Sequence, residues 1–400
     1  MATPKKTSRS VRKTMANLYL PLIPDFLVLC DTKTSLTLCA SKSLCINTEN
    51  EIVYHPFADD FGPLDLSSLS RFVSIICHAV KKRNGRTVVY TVQSTPRSMT
   101  NAAFLLGSYM MIELGYTSNA VWDSFSTIEP MLEMYRDAQR SPADFRLEII
   151  DCWRGVERAN VLGWIDEIDM EEYDHYNSPL EGDLHFIIPD KLIAFRGPIH
   201  LQDSKKYSDV GGVRFFSPTF YMEPFLDMGV STVIRLNSLA YDPMPLQSAG
   251  IRCLHIDLGD DSLPTPRALL DFLDAVAAAD GAVAVHCTEG LGRTGTLAAA
   301  HLMAAHGFSA REAIGWLRVV RPGSIFGAQQ HFLCRLGDAL QLHAGDAAGV
   351  RDAVLSLDRP ADTFCAHAAS DCGRAAQRRC RSVSRERSLR MCRTRPQSEI

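Results

Sequence analysis

The stretch HCTEGLGRTG, residues 286–295, decides how this sequence is read. Directly before it, GAVAV (281–285) is a short, wholly apolar run of the kind that forms a buried strand. Directly after, TGTLAAAHLMAAHG (294–307) reads as a helix closed by a glycine. A loop between a strand end and a helix start offers backbone N–H groups without intrahelical partners, and the positive end of the helix dipole adds to their pull on an anion. Gly290, Gly292 and Gly295 permit the positive φ values and close approach that wrapping an anion demands. The same field stabilises a thiolate, bringing a cysteine from about 8.5 down into the range of roughly 3.5–7.5. Cys287 is therefore the candidate nucleophile. Arg293, with five residues intervening, offers a fork to two phosphoryl oxygens. The candidate phosphate cradle is Thr288, Glu289, Gly290, Leu291, Gly292 and Arg293, with His286 in support and Thr294 offering its hydroxyl to the thiolate. Glu289 is the discordant member, a negative charge inside a loop built for anions.

A phosphoryl-cysteine route also needs a proton donor for the departing oxygen. HIDLGDDSLPTP (255–266) is a polar, proline-punctuated loop that offers Asp257, Asp260 and Asp261. The residues alone do not choose among the three.

Working outward, the loop sits in an ordered set: the helical pattern 268–280, the strand, the loop, the helix to Gly307, then FSAREAIGWLRVV with Ser309 as N-cap. The N-terminal half repeats that order. LSSLSRFVSIICHAVKKRNG precedes RTVVYTV (86–92), a polar loop follows, then NAAFLLGSYMMIELG (101–115) and YTSNAVWDSF. Four elements in one order, each set ending alike, point to a duplicated α/β domain. The first copy carries YTVQSTPRSMT where the second has the cysteine loop, so only the second has a nucleophile. LYLPLIPDFLVLC (18–30) reads as a strand entering the first domain. The acid-dense 164–183 segment reads as a linker, helical around 170–175.

The chain has 400 residues, 46% hydrophobic and 22% charged, an ordinary globular composition with room for two domains. No apolar run reaches the roughly 18 residues of a membrane span. Its 12 cysteines lack paired CxxC spacing, so neither a zinc ribbon nor a disulfide scaffold is expected, and no metal or cofactor is implied. The net charge of −4 conceals a division. Residues 1–17 hold five basic side chains and no acid, and 371–400 hold nine arginines against three acids. Residues 18–370 then carry 28 basic and 43 acidic side chains, a net of −15. Such a body is ill suited to hold nucleic acid and better suited to a basic peptide. The N-terminal arm has transit-peptide composition without an apolar face and is expected to be disordered; so is the Arg/Ser-rich tail. RRCRSVSRERS (378–388) has the pattern of an import signal or of a kinase target.

The chain resembles the cell-division-cycle fourteen family, the dual-specificity protein phosphatases of mitotic exit. The likeness runs from about residue 20 to 345 and is carried by DFGPLDL (60–66), NAAFLLGSY (101–109), EEYDHY (171–176), PDKLIAFRGP (189–198), HCTEGLGRTGT and RPGSIFGAQQHFL (321–333). The resemblance implies two tandem cysteine-phosphatase-like domains, each a central mixed sheet flanked by helices. The expected limits are an arm at 1–17, a non-catalytic domain at 18–163, an acidic linker at 164–183, a catalytic domain at 184–345 and a tail at 346–400. The family's acid-loop pattern, laid on DDSLP (260–264), selects Asp260 as general acid, with Asp261 at the family's glycine position. It also assigns Gln329 and Gln330 to the lining of the site, and Glu171, Glu172 and Asp174 to an acidic groove that reads a basic residue downstream of a phosphoserine–proline pair. Phosphoproteins with Ser-Pro sites near basic residues are then the expected substrates. A kinase or import factor would contact the tail, and the protein would divide between nucleus and cytoplasm with centrosome or spindle association. Two readings compete with it. A phosphoinositide or RNA 5′-triphosphatase would favour extra basic residues in the cradle, where Thr288 and Leu291 supply none. A catalytically weak phosphate-binding scaffold draws its support from Glu289.

Overall fold

Short apolar runs build two sheets in the computed structural model, which describes residues 18–38, 43–259, 263–343 and 347–358. The first contains β1 (Tyr19–Ile23), β2 (Leu27–Asp31), β3 (Ser43–Ile46) and β4 (Thr87–Val92), in the order β1-β2-β4-β3. β1 and β2 are antiparallel and the other pairs parallel. The second sheet is laid out alike. β5 (Leu184–Ile188) and β6 (Leu192–Phe195) form an antiparallel hairpin. A separate exposed ribbon, β7 (Tyr207–Val210) and β8 (Val213–Phe216), precedes β9 (Val230–Arg235), β10 (Arg252–His255) and β11 (Ala282–His286). The second order is β10-β9-β11-β6-β5, with β11 parallel to both neighbours. β1, β2, β4 and β3 thus correspond to β5, β6, β11 and β9. The duplication read from the sequence is present in the topology.

Parallel central strands are buried on both faces and read as continuous apolar runs. In β11, Val283 and Val285 join the main core, while Ala282 and Ala284 face a second cluster with Phe216, Tyr221 and Phe225. That main core runs without a break through both halves, from Leu18 to Val354. The halves meet where helix Ile149–Val161 crosses helix Ala310–Val320. A Cβ on Gly155 would lie 2.6 Å from Glu312 O, and one on Gly315 would lie 2.8 Å from Cys152 Cα, so backbones approach where larger residues cannot fit. Arg311 Nε pairs with Asp151 at 2.8 Å across the seam.

Three expectations are corrected. Residues 18–30 form two strands, because Pro24 and Asp25 (φ 57°) turn the chain between β1 and β2. The 164–183 segment is a packed part of the interface. Its helices Trp164–Glu167 and Met170–Asn177 bury Trp164 and Tyr173, whose hydroxyl donates to Val320 O at 2.6 Å. The catalytic half extends past 345, since helix Ala347–Ser356 buries Ala353 and Val354 against the helices Pro266–Ala277 and Ala328–Leu342. Its alanine-rich composition hid an apolar stripe at 350, 353, 354 and 357. The arm at 1–17 and the tail beyond 358 lie outside the described residues.

Candidate active site

β11 ends at His286, and helix Gly292–His306 begins without a side-chain cap. The matching place in the first half is closed: Thr95 caps helix Pro96–Ile112 by accepting from Ser98 N–H. One copy satisfies its helix start from its own sequence, and the other leaves it open.

Between them Cys287 is buried at 4% exposure. All five carbonyls from 287 to 291 are engaged by protein. His286 Nδ1 donates to Cys287 O at 2.9 Å and Gly197 N–H to Thr288 O at 3.0 Å. Arg321 donates Nη2 to Glu289 O at 2.9 Å and Nε to Gly290 O at 2.8 Å. Gly295 N–H donates to Leu291 O at 3.0 Å. In a trans peptide the N–H points opposite to the carbonyl on the same plane. Anchoring these oxygens outward therefore turns the N–H groups of 288–292 to the other side. Among the described residues, the N–H groups of 288–291 take no protein acceptor. The loop is an array of donors held for an anion. Gly290, at φ 69°, lies too close to Phe195 O to admit a side chain.

Arg293 closes the ring. Its Nη1 donates to Leu258 O at 2.8 Å and its Nη2 to Thr288 Oγ1 at 3.1 Å, tying the end of the aspartate loop to the cradle. Asp260 and Asp261 lie outside the described residues, and Asp257 is exposed. Thr294 is fully buried, and its hydroxyl makes no hydrogen bond to Cys287 Sγ or to any other described atom. His286 is buried and held neutral, pushed down to about 4 chiefly by desolvation. Since Nδ1 must donate to a carbonyl, Nε2 accepts from Tyr241 Oη at 2.9 Å. The pair fixes the strand end from which Cys287 springs.

The discordant Glu289 is 55% exposed and paired with Arg196 at 3.2 Å. It faces the rim, and Arg196 offsets its charge. Gln329 is buried with its Nε2 against Gly292, beside the loop. Gln330 is placed differently. Its Oε1 accepts from Arg318 at 2.7 Å and its Nε2 donates to Asp137 at 2.9 Å, so both ends of the amide are spent in an interface network.

Of the acidic trio, Glu172 lies away from the cysteine. Glu171 and Asp174 are exposed on helix Met170–Asn177. Glu172 lies among Asp169, Asp190 and Asp227; burial first, then those charges, raise its carboxyl above the usual range. Asp190 is in the β5–β6 turn. β6 runs parallel to β11 with Leu192 opposite Val283 and Phe195 opposite His286, so this turn sits at the strand-start end of the sheet. At about 3.3 Å per residue, that end is about 20 Å from Cys287.

Arg321 and its partners escaped the sequence reading. Arg321 is 1% exposed and also pairs with Asp183 at 2.8 Å and with His185 Nδ1 at 2.8 Å. Its signal was an arginine at the end of an apolar helix, directly before Pro322 and Gly323.

Comparison with known proteins agrees with this geometry. Residues 21–159 match the model for the N-terminal half of dual specificity protein phosphatases, and 248–338 match the model for the dual specificity phosphatase catalytic domain. The dual specificity protein phosphatase CDC14C of Homo sapiens is 37% identical over 301 residues, covering 74% of this chain and 66% of that one. The chain belongs to the CDC14 family. Tyrosine-protein phosphatase cdc-14 of Caenorhabditis elegans is 36% identical over 304 residues, 73% of this chain and 42% of that one. Tyrosine-protein phosphatase CDC14 of Candida albicans is 34% identical over 323 residues, 78% of this chain and 56% of that one. The CDC14 match thus spans 66% or less of the length of these relatives.

Proposed function

We propose that this chain is a dual-specificity protein phosphatase that works through a phosphocysteine. The observation that carries the reading is the loop itself: five anchored carbonyls, N–H groups at 288–291 without a partner among the described residues, and Arg293 around one buried cysteine. In the first step the Cys287 thiolate attacks phosphorus and the bond to the substrate oxygen breaks. Asp260 gives its proton to the departing alkoxide or phenolate. In the second, water attacks the phosphocysteine, Asp260 takes back a proton, and the sulfur–phosphorus bond breaks to release phosphate. The amides and Arg293 hold the equatorial oxygens, whose charge they stabilise more as the transition state spreads it. Thr294, whose hydroxyl has no partner among the described residues, donates to the thiolate as it leaves. Gln329 is the better placed of the two glutamines to orient the attacking water.

The proposed substrates are phosphoserine or phosphothreonine followed by proline, and phosphotyrosine, in proteins of the cell cycle. The net −15 of residues 18–370 favours peptides with a downstream basic residue. The position of Glu172 leaves the exposed Glu171 and Asp174 as the members of the trio to read that residue. The Arg/Ser-rich segment beyond 370 supports a share of the protein in the nucleus, with kinase or import-factor contact there; a fluorescent fusion with and without 371–400 tests this.

Steady-state kinetics on phospho-Ser-Pro peptides, with and without a downstream lysine, and on phosphotyrosine peptides test the activity. Cys287→Ser is expected to bind these peptides without turning them over. Full turnover by that variant would reject the mechanism, and a preference for inositol phosphates would reject the substrate class.

A further inference from the structure

The first domain has no cysteine in the loop that corresponds to that of Cys287, yet it grips one segment of the second at three points. That segment is the turn 321–327 between helices Ala310–Val320 and Ala328–Leu342. Asp137, from the first half and 2% exposed, accepts Gly327 N–H at 2.8 Å and Gln330 Nε2 at 2.9 Å on the same oxygen. The Gln139 side chain lies against Gly327, and the Phe57 ring lies against Gly323, where an added Cβ would be 2.7 Å from it. Both glycines have positive φ, 56° and 81°. Between them Ile325, fully buried and β-branched, is held at φ 60°, a conformation that such residues adopt only under constraint. The turn is thus held in a shape it would not choose alone.

The other side of the same turn bears on the phosphate loop throughout. Arg321 anchors the carbonyls of Glu289 and Gly290. Ile325 N–H donates to Leu291 O at 3.4 Å, and Ile325 Cγ1 would lie 3.0 Å from a Cβ on Gly295. Phe326 and Gln329 pack against Gly292, the first residue of the catalytic helix. The path from Asp137 to the cradle is a single turn thick.

We propose that Asp137 is a positioning residue of the catalytic domain, supplied by the non-catalytic one: by fixing the turn 321–327 it holds the N–H groups of 288–292 in their anion-binding arrangement. The inactive copy is then a buttress for the cradle. This rests on the phosphatase reading above and adds to it a named dependence on the first domain.

The test uses the full chain. Asp137→Ala is expected to lower kcat on para-nitrophenyl phosphate at least tenfold and to weaken binding of inorganic phosphate, measured by calorimetry, at least fivefold. Asp137→Asn keeps an oxygen that can accept both N–H groups, and should stay within threefold of wild type in both. Arg311→Ala is the control. It breaks the pairing with Asp151 at the same domain interface without touching the turn, and should keep kcat within twofold whatever it costs in Tm. If Asp137→Ala does not fold, Phe57→Ala, which loosens the same turn from an exposed position, carries the same expectation. Unchanged phosphate affinity in Asp137→Ala would overturn the proposal; so would an equal loss in Arg311→Ala, or no rescue by asparagine. Phosphate binding does not require turnover. A wild-type chain that binds phosphate but hydrolyses nothing would therefore defeat the phosphatase reading while leaving this one to be judged by its own variants.

Discussion

Replacing Arg321 by lysine tests whether anchored carbonyls make the cradle. The guanidinium spends Nε on Gly290 O and Nη2 on Glu289 O, and Nη1 on Asp183 and His185. Lysine keeps the charge but has one nitrogen, and it cannot reach two carbonyls and a carboxylate in that fork. The peptide planes released are those bearing the N–H groups of Gly290 and Leu291, two donors of the array. Losing one preorganised donor to an oxyanion costs about 10²–10³ in kcat. Partial freedom in two planes should cost about the same as one donor removed. Stability falls as well, because a buried ion pair broken from one side costs about 3–5 kcal/mol, and lysine recovers part of that at Asp183. The assay is kcat and KM on para-nitrophenyl phosphate, with inorganic phosphate affinity by calorimetry and Tm by scanning calorimetry. Arg321→Lys should lose about 10²-fold in kcat and about tenfold in phosphate affinity, with the helical spectrum retained. A variant destabilised by several degrees but wild-type in phosphate affinity would refute the reasoning: the amides would then be oriented without their carbonyls being held.

Charges at the rim and in the core set two further outcomes. Glu289→Ala removes the rim carboxylate and frees Arg196, so phosphate affinity should rise about two- to fivefold, read by calorimetry at low salt; no change makes the pair a bystander. His286 and His301 are buried and pushed down to about 4, and His185 is also well below its usual value, in each case first by desolvation. The unfolded chain therefore binds protons between about pH 6.5 and 4 that the folded chain refuses, and stability must fall as pH falls through that window. His301→Gln should reduce the slope of unfolding free energy against pH by up to one proton, about 1.4 kcal/mol per pH unit, in urea titrations at pH 5 and pH 7. An unchanged slope would mean that His301 protonates in the folded state.

How far the sequence foretold this depended on distance along the chain. The strand, the loop and the helix around Cys287 are contiguous, so period, glycine and arginine spacing sufficed to place them. The duplication was readable for the same reason: each copy repeats local signals in one order. What holds the loop is not contiguous. Arg321 is 32 residues from the carbonyl of Glu289, and Asp137 is 190 from the Gly327 N–H that it accepts. No periodicity links such pairs. The place of Glu172 was hidden for a related reason. A charge run tells that a segment is acidic but not which end of a sheet it faces, and the β5–β6 hairpin carries Asp190 to the end away from the cysteine.

The linker was misread because its charges dominate its composition, whereas its fold is set by the few apolar groups, Trp164, Ile168 and Tyr173, that it buries. That burial changes what the two domains are to each other. A tethered partner could be lost without altering the cradle. Here one core runs through both halves, the connecting segment is part of it, and the first half closes on the turn that backs the phosphate loop. That support needs no nucleophile in the first half, since it depends on packing and on one carboxylate. A domain without a catalytic loop therefore still serves the site, because the neighbouring cradle is built against it.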